Sequence, residues 1–331
     1  MERVNALQTD GKGAVVAGSG APVARPAIDP SASSPPSPDP VSVSGIVYET
    51  DEPVLYEVAD GVAWVTMNRP RFHNAQNSQM TYALDAAFRR AVDDAGVKAI
   101  VLGGSGKHFS AGHDIGTPGR DVDRSFDRAH LLPDHVGRPG AEFLYTREQE
   151  VYLGMCRRWR DLPKPTVAMV QGGCIAGGLM LAWVCDLIVA SDDAFFQDPV
   201  SRMMGIPGVE YFAHGFELPP RVAKEFLLLG ERMLAERAYS FGMVNKIAPR
   251  EQLQAAAAEM AAKLAVQASL GMWLTKQAIH QVEDLRGKRS AMDAVFHMHH
   301  FAHAQNDLVT GNALGGVTGR SAAADNKKVG E

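Results

Sequence analysis

Two glycine-rich segments have residue types that could hold a negatively charged oxygen. They are residues 106–115 (GKHFSAGHDI) and 171–180 (QGGCIAGGLM), each directly after a stretch of strand type. Glycine lets the backbone approach a ligand closely, and a helix start leaves amide N–H groups free to donate. Two such turns side by side would direct two N–H donors at one oxygen, which is an oxyanion hole. The alternative is that both are tight strand-to-helix turns in which glycine only avoids steric clashes.

Two commoner glycine motifs are excluded. A phosphate-binding P-loop needs an upstream glycine at fixed spacing and a serine or threonine after its lysine, whereas His108 follows Lys107. The glycine-any-serine-any-glycine turn of serine hydrolases is also absent. A phosphate cradle or a serine nucleophile is therefore not expected at either segment.

The surrounding pattern predicts an α/β core. Short apolar strands are predicted at 54–58 and 62–67, joined by an Asp60-Gly61 hairpin turn, and then at 99–102, 166–170, 187–190, 194–197 and 244–247. A helix capped by Ser78 and ended by Gly96 follows the hairpin, and further helices lie between the later strands. Strands that alternate with helices indicate an α/β fold. Both glycine segments would then follow strands of this core.

The ends of the chain differ from this core in composition. Residues 1–45 are rich in proline, serine and alanine, and predict a disordered tail, while 311–331 predict a flexible one. The core spans 46–250. Residues 251–310 predict helices at about 252–267, 270–285 and 289–307, a terminal helical region that would support oligomerisation.

Composition excludes several classes of function. The 331 residues include 33 basic and 38 acidic side chains, a net charge of −5, so no nucleic-acid partner is expected. No run of eighteen apolar residues predicts a membrane span, and no secretory signal pattern is seen at residue 1. Three cysteines without metal spacing favour a reduced, cytoplasmic location.

Four segments together resemble the crotonase superfamily, the enoyl-CoA hydratase/isomerase group. They are 65–70 (VTMNRP) with Asn74-Ala75, 109–115 (FSAGHDI), 172–186, and 235–238 (AERA) with 242–245 (GMVN). The resemblance implies a spiral of ββα units with a C-terminal helical region, assembled as homotrimers or hexamers. It also implies an acyl-CoA thioester as substrate, with no cofactor beyond the coenzyme A that the substrate carries.

The resemblance also implies roles for particular residues. The backbone N–H groups of His113 and Gly177 would form the oxyanion hole. The family's segments for coenzyme A and substrate correspond here to Arg69, Asn74, Ala75, Ala111 and Asp114. The two glutamates of the family's hydratases correspond to Met180 and Val200, neither of which can exchange a proton. The ordinary hydratase mechanism therefore does not transfer residue by residue, and these two side chains would only line the site.

Replacement acids are sought nearby. Asp198 would share a strand face with Val200 if the chain there were extended. Glu210, His214 and Glu217 would share one face of a helix, and Glu210 leads because several relatives place an acid at the start of this region. His214 would act as a base or orient Glu210. The alternative for each is an exposed polar face or a subunit contact.

Two further features need an interpretation. The cluster His297, His299, His300 and His303 lacks the glutamate of a zinc-protease motif, so it predicts helix packing or a trimer contact, and no metal is expected. The long segment 117–145 is expected to cover the acyl pocket.

Three hypotheses of function remain. The first is an enzyme that hydrates, dehydrates or isomerises an acyl-CoA through a thioester enolate. The second is a catalytically inactive acyl-CoA-binding protein or sensor, and the third is a thioesterase or decarboxylase. The first two differ in whether Glu210 or Asp198 faces the gap between His113 and Gly177.

Overall fold

A computed structural model describes residues 52–117 and 121–328; the predicted N-terminal tail, 1–45, lies outside these residues. Strands β1 (Val54–Ala59) and β2 (Val62–Met67) form an antiparallel hairpin. Its two turn residues, Asp60 and Gly61, have φ of 51° and 74°. Two successive positive φ values are those of a type I′ turn, so the predicted hairpin is confirmed.

The hairpin begins a six-stranded sheet. After β2 come β3 (Ala99–Gly104), β4 (Thr166–Val170), β6 (Leu187–Ser191) and β9 (Lys246–Ala248), all parallel to one another, and the strand order is β1-β2-β3-β4-β6-β9. A second sheet contains β5 (Gly173–Ile175), β7 (Phe195–Gln197) and β8 (Met233–Leu234). The small sheet carries the second glycine segment.

Helices cover both faces of the larger sheet. Its residues alternate: Val101 faces the helix at Leu253–Ala265, whereas Leu102 joins the opposite apolar cluster with the helix at Ser78–Asp93. Strands buried on both sides are typical of a parallel sheet between helical layers. The helices are α1 (Ser78–Asp93), α2 (Gly140–Glu148), α3 (Met155–Arg160), α4 (Gly177–Trp183), α5 (Val200–Met204), α6 (His214–Glu217), α7 (Pro220–Leu229), α8 (Ala235–Ser240), α9 (Leu253–Ala265), α10 (Ser269–Leu285), α11 (Lys288–Thr310) and α12 (Gly319–Lys328).

The C-terminal region departs from one expectation. Helix α12 lies within the stretch 311–331, where the sequence predicted a flexible tail. Asp325 of this helix forms an ion pair with Arg202 of α5, at 2.6 Å. The segment after α11 therefore folds back onto the core. Within the described residues, no helix is long and apolar enough to cross a membrane.

Candidate active site

The two glycine segments lie against each other. The Ser110 amide donates to the Gly173 carbonyl (3.2 Å), and the Ile175 amide donates to the Ser110 carbonyl (2.9 Å). A Cβ added to Gly112 would lie 2.8 Å from the Ile175 oxygen and 3.0 Å from the Gly177 nitrogen. This spacing leaves no room for a side chain, so glycine at 112 allows the close approach of the two turns.

The first turn leaves the His113 amide directed away from its neighbouring segment. Gln76 pairs with His113 as an isolated parallel bridge: the Gln76 amide donates to the Gly112 carbonyl (2.7 Å), and the Asp114 amide donates to the Gln76 carbonyl (2.9 Å). In a parallel bridge of this kind, the middle residue points its own N–H away from the partner strand. The His113 N–H is therefore not used by Gln76.

The second turn presents the start of α4. Ala176 has φ 47° and ψ −116°, a strained conformation for a residue with a Cβ, of a kind that costs roughly 1–3 kcal/mol. Its amide donates to the Gln197 carbonyl (2.8 Å), which holds the strained residue in place. Gly177 is the first residue of α4, where an N–H has no acceptor within the helix. Strain of this type is concentrated at functional sites.

Buried polar side chains hold the first turn in shape. The Asn74 amide group donates to the carbonyls of Ser105 and His108, each at 2.9 Å. Arg69 donates to the Ala75 carbonyl and pairs with Asp114 at 3.0 Å. Asn74, Arg69 and Asp114 are all buried. These residues position the turn, and Asp114 also lies in the wall of the adjoining cavity.

A cavity of about 730 Å³ opens beside the two turns. Its wall is mostly apolar, with a small group of titratable side chains on one side. From the turns come Ala111, His113, Asp114, Ile175 and Ala176; from later segments come, among others, Val122, Leu144, Val200, Met203, Ile206, Leu308 and Leu314. A cavity of this volume with few polar groups suits a ligand with an apolar chain. Residues of the segment 117–145, which was expected to cover the acyl pocket, lie in the wall of this cavity.

Glu210 lies in the cavity wall beside the first turn. Its Oε1 atom is 3.5 Å from Nδ1 of His113, and its side chain is 3% exposed. The His113 ring is stacked on Tyr152, with centroids 3.6 Å apart. Burial lowers the pKa of His113 to about 3, with Arg147 as a second cause. Burial, and next the charge of Glu148, raise the pKa of Glu210 well above its ordinary value.

Comparison with known proteins decides the family. The enoyl-CoA hydratase/isomerase family model matches residues 57–128 and 140–313. The chain belongs to that family.

Individual relatives agree with this assignment. The structure of a probable enoyl-CoA hydratase from Mycobacterium smegmatis superposes with a TM-score of 0.70 at 43% identity, over 79% of this chain and 98% of the other. The putative enoyl-CoA hydratase EchA13 of Mycobacterium tuberculosis is 38% identical to this chain. The alignment covers 80% of this chain and 84% of that protein. The 1,2-epoxyphenylacetyl-CoA isomerase of Escherichia coli is 31% identical, over 70% of this chain and 82% of that protein. The predicted crotonase fold is confirmed.

Within this family fold, Met180 and Val200 occupy different surroundings. Met180 is fully buried in the apolar core and is not part of the cavity wall. Val200, the first residue of α5, lines the cavity. Both were expected from the sequence to line the substrate site; of the two, Val200 lines the cavity.

Three of the predicted acid and base candidates lie outside the cavity. Asp198 and His214 are fully buried and bonded to each other, Oδ2 to Nε2, at 2.9 Å. Strand β7 ends at Gln197, and Asp198 accepts a hydrogen bond from the Val200 amide, so the predicted shared strand face does not form. Glu217 pairs with Lys288 at 3.1 Å.

The predicted helix joining Glu210 to Glu217 is also wrong. Helix α6 begins only at His214 and has four residues. Gly208 precedes the region with φ of 79°, a left-handed conformation that interrupts a helix. Glu210 therefore reaches the cavity from an irregular segment, and His214 does not face the same way.

Further titratable residues of the cavity were not predicted from the sequence. Glu148, the last residue of α2, lines it together with His299, His300 and His303 of α11. Nε2 of His300 lies 3.3 Å from Oε2 of Glu148. Burial raises the pKa of Glu148, and burial lowers the pKa of His300 to about 3. The histidine spacing was visible in the sequence, but its place in the cavity depends on packing between distant segments.

Proposed function

We propose that the protein binds an acyl-CoA thioester with its carbonyl oxygen at the amides of His113 and Gly177. Glu210 then transfers a proton to or from the acyl chain, so that an enoyl-CoA is hydrated, formed by dehydration, or isomerised. The observation that carries this proposal is the Glu210 carboxyl group in the cavity wall, 3.5 Å from the His113 ring. A carboxyl group beside the predicted oxyanion turn favours a catalyst over a binding-only protein.

The two amides would supply the electrostatic part of the reaction. Removing a proton from the carbon next to a thioester puts negative charge on the thioester oxygen. Fixed N–H donors stabilise that charge without rearrangement, and each donor is typically worth about 3 kcal/mol. Two features support this role, because both maintain the close approach of the turns. The backbone of Ala176 is strained, and no side chain would fit at Gly112.

Glu210 would supply the proton-transfer part. Burial raises its pKa, and a carboxyl group whose pKa moves towards neutrality is a better general acid and a better general base near neutral pH. The apolar remainder of the wall would exclude bulk water from the acyl chain. Both reactions pass through the thioester enolate: hydration adds the H and OH of one water molecule across the double bond, whereas isomerisation removes a proton from one carbon of the acyl chain and returns a proton to another.

The residues predicted to lie near coenzyme A enter the proposal in two groups. Ala111 lines the cavity, so we place it against the substrate. Arg69, Asn74, Ala75 and Asp114 would act by holding the turn that carries His113, because their polar groups bond within the protein. Coenzyme A itself would lie along the outside of this turn.

We also propose that the protein forms a homotrimer or a pair of trimers. Helix α10 exposes a row of large apolar side chains, including Leu270, Trp273, Leu274, Ile279 and Leu285. Exposed apolar surface of this kind is typical of a protein–protein contact. Sedimentation of the purified protein would give its mass.

The reaction is tested with crotonyl-CoA, a longer 2-enoyl-CoA and a 3-enoyl-CoA. Loss of the conjugated thioester absorbance reports hydration, and its appearance from the 3-enoyl compound reports isomerisation. We expect turnover by the wild type and a loss of about 10²-fold or more in kcat for Glu210→Gln. Glu217→Gln is the matched control, because Glu217 lies outside the cavity wall and should leave kcat unchanged.

Two results would overturn the proposal. Tight binding of all three compounds without turnover would leave a binding protein or a different acyl-CoA reaction. Equal kcat for wild type and Glu210→Gln would remove Glu210 from the chemistry.

A further inference from the structure

Two histidine rings on α11 have their Nε2 atoms directed towards each other. His299 and His303 are one helical turn apart, both are buried, and the two Nε2 atoms are 3.0 Å apart. The reaction proposed above uses neither ring. Their mutual orientation therefore needs a separate explanation.

The other nitrogen of each ring fixes its tautomer. Nδ1 of His299 lies 2.9 Å from the Gly208 carbonyl oxygen, and Nδ1 of His303 lies 2.8 Å from the Ala313 carbonyl oxygen. A carbonyl oxygen only accepts hydrogen bonds, so both Nδ1 atoms carry the hydrogen and both neutral rings present a lone pair at Nε2. Two lone pairs at hydrogen-bond distance repel each other unless a cation lies between them or beside them. Histidines that bind metals are commonly held by such Nδ1–H to carbonyl bonds.

A carboxylate oxygen converges on the same point. Oε2 of Glu148 lies 3.7 Å from Nε2 of His299 and 3.9 Å from Nε2 of His303. The Glu148 side chain is 7% exposed, and Nε2 of His300 lies 3.3 Å from the same oxygen without forming a hydrogen bond to it. A buried acceptor without a donor is costly, which indicates that a cation belongs there.

The three atoms have the spacing of a metal site. All lie within 4.8 Å of one another. Atoms separated by 3.0, 3.7 and 3.9 Å have a common point about 2.1 Å from each, which is the usual length of a bond from zinc to histidine nitrogen or carboxylate oxygen. The separations of the three atoms therefore match those around one bound ion.

We propose that Glu148, His299 and His303 form a binding site for a divalent first-row transition metal ion. Two imidazole nitrogens with one carboxylate oxygen suit zinc, iron or cobalt, whereas magnesium and calcium prefer oxygen ligands. This proposal replaces the sequence-based expectation that the chain binds no metal. All three residues line the cavity, so a bound ion would be accessible to a molecule within it.

The site adjoins the proposed acid without including it. Oε1 of Glu210 lies 3.7 Å from Nε2 of His299. A metal ion at the three ligands would stand next to the acyl chain on the side of the cavity formed by α11. The metal site does not depend on the proposed reaction, because it is tested without any acyl-CoA.

The test uses the purified full-length protein, stripped of metal with a chelator and dialysed. Zinc is titrated by calorimetry, and cobalt is titrated by the visible absorption that imidazole-bound cobalt shows. We expect one ion per chain. Glu148→Gln, which keeps the size of the side chain, and His303→Ala should each weaken binding by about 100-fold or more, since even changes beside metal ligands cost 10–100-fold.

His297→Ala is the control, because His297 belongs to the same helix and the same histidine cluster but is exposed. It should bind zinc as the wild type does. Circular dichroism and thermal melts identify any variant that fails to fold, and Glu148→Gln keeps the test decisive if His303→Ala is unstable. No binding of zinc or cobalt by the wild type, or equal binding by wild type and folded Glu148→Gln, would overturn the site and leave a proton shared between the two rings.

Discussion

The ring of His113 lies directly against the backbone of Gly177. A Cβ built on Gly177 would be 2.5 Å from Cδ2 and Nε2 of that ring. The residues whose amides are predicted to share one oxygen are therefore in contact through a side chain as well. Movement of the ring is restricted, because it is stacked on Tyr152 with the centroids 3.6 Å apart.

This contact predicts that Gly177→Ala disrupts the proposed oxyanion hole. The added methyl group must displace either the His113 ring or the start of α4, and either movement separates the two amides. Loss of one oxyanion donor typically costs about 3 kcal/mol, so we expect kcat to fall by roughly 10²-fold. Steady-state kinetics of the variant measure this loss.

The double variant Gly177→Ala with His113→Ala is the matched test of the steric cause. Removing the ring makes room for the methyl group, so the double variant should be more active than Gly177→Ala alone. Purely additive losses would show that the clash with His113 is not the reason.

Local sequence patterns were sufficient for the sheet and for the two glycine turns. The hairpin at Asp60-Gly61 and strand β4 depend on turn chemistry and short apolar runs, which act over a few residues. The turns were recognised because glycines and their neighbours occur together in one segment. The predicted helix from Glu210 to Glu217 did not form, because the chain is irregular between the left-handed Gly208 and the start of α6 at His214, and the proline pair at 219–220 leaves only one helical turn before it.

Contacts between distant segments could not be predicted in this way. Glu148 ends α2, whereas His299 lies about 150 residues later on α11, and only packing of these two helices brings them to one cavity. The spacing of His299 and His303 showed a shared helix face but not what that face meets. The same limit applies to Asp198, whose partner His214 is set by burial of both groups.

The pair of Asp198 and His214 is predicted to serve stability. Both side chains are fully buried, and their mutual hydrogen bond is 2.9 Å long. Asp198→Ala leaves the His214 nitrogen without its acceptor, which we expect to lower the free energy of unfolding by about 3 kcal/mol. Urea unfolding measures this change.

A substitution at a surface ion pair is the control for the loss of stability expected in Asp198→Ala. Lys263 pairs with Glu259 on the exposed face of α9, and Lys263→Gln should leave the unfolding midpoint unchanged. The kcat of the folded Asp198→Ala protein should equal that of the wild type. A selective loss of kcat at full stability would return Asp198 to the chemistry.

The segment after α11 is predicted to set the size of the acyl group. Asn312, Ala313, Leu314 and Ala322 all line the cavity, so this segment closes one side of it. A chain ending at Thr310 should still bind acyl-CoA but should discriminate less between short and long acyl chains. Dissociation constants for a series of saturated acyl-CoA esters measure the preference.

Arg202→Gln provides the milder comparison for that truncation. It removes the ion pair with Asp325 but keeps the lining residues in the chain. Its preference should lie between those of the wild type and the truncated protein. An unchanged preference after truncation would exclude this segment as the determinant of chain length.

His108 is predicted to make stability depend on pH. Its Nδ1 accepts a hydrogen bond from the Gly173 amide at 2.9 Å, which requires the neutral ring. Burial, and next the charge of His73, lower the pKa of His108 from 6.5 to about 4. Between these two values the unfolded chain binds a proton that the folded chain does not. Stability contributed by His108 is therefore present above about pH 6.5 and is lost as the pH falls towards 4.

The variant His108→Asn tests this dependence of stability on pH. It keeps every other histidine, so a difference from the wild type reports on His108 alone. Asparagine does not titrate, and its oxygen can accept the hydrogen bond from Gly173. We expect the wild type to lose more of its free energy of unfolding than the variant between about pH 7 and pH 5, as measured by urea unfolding at each pH. Parallel losses in the two proteins would mean that protonation of His108 does not oppose folding, and that the bond to Gly173 does not depend on the charge of the ring.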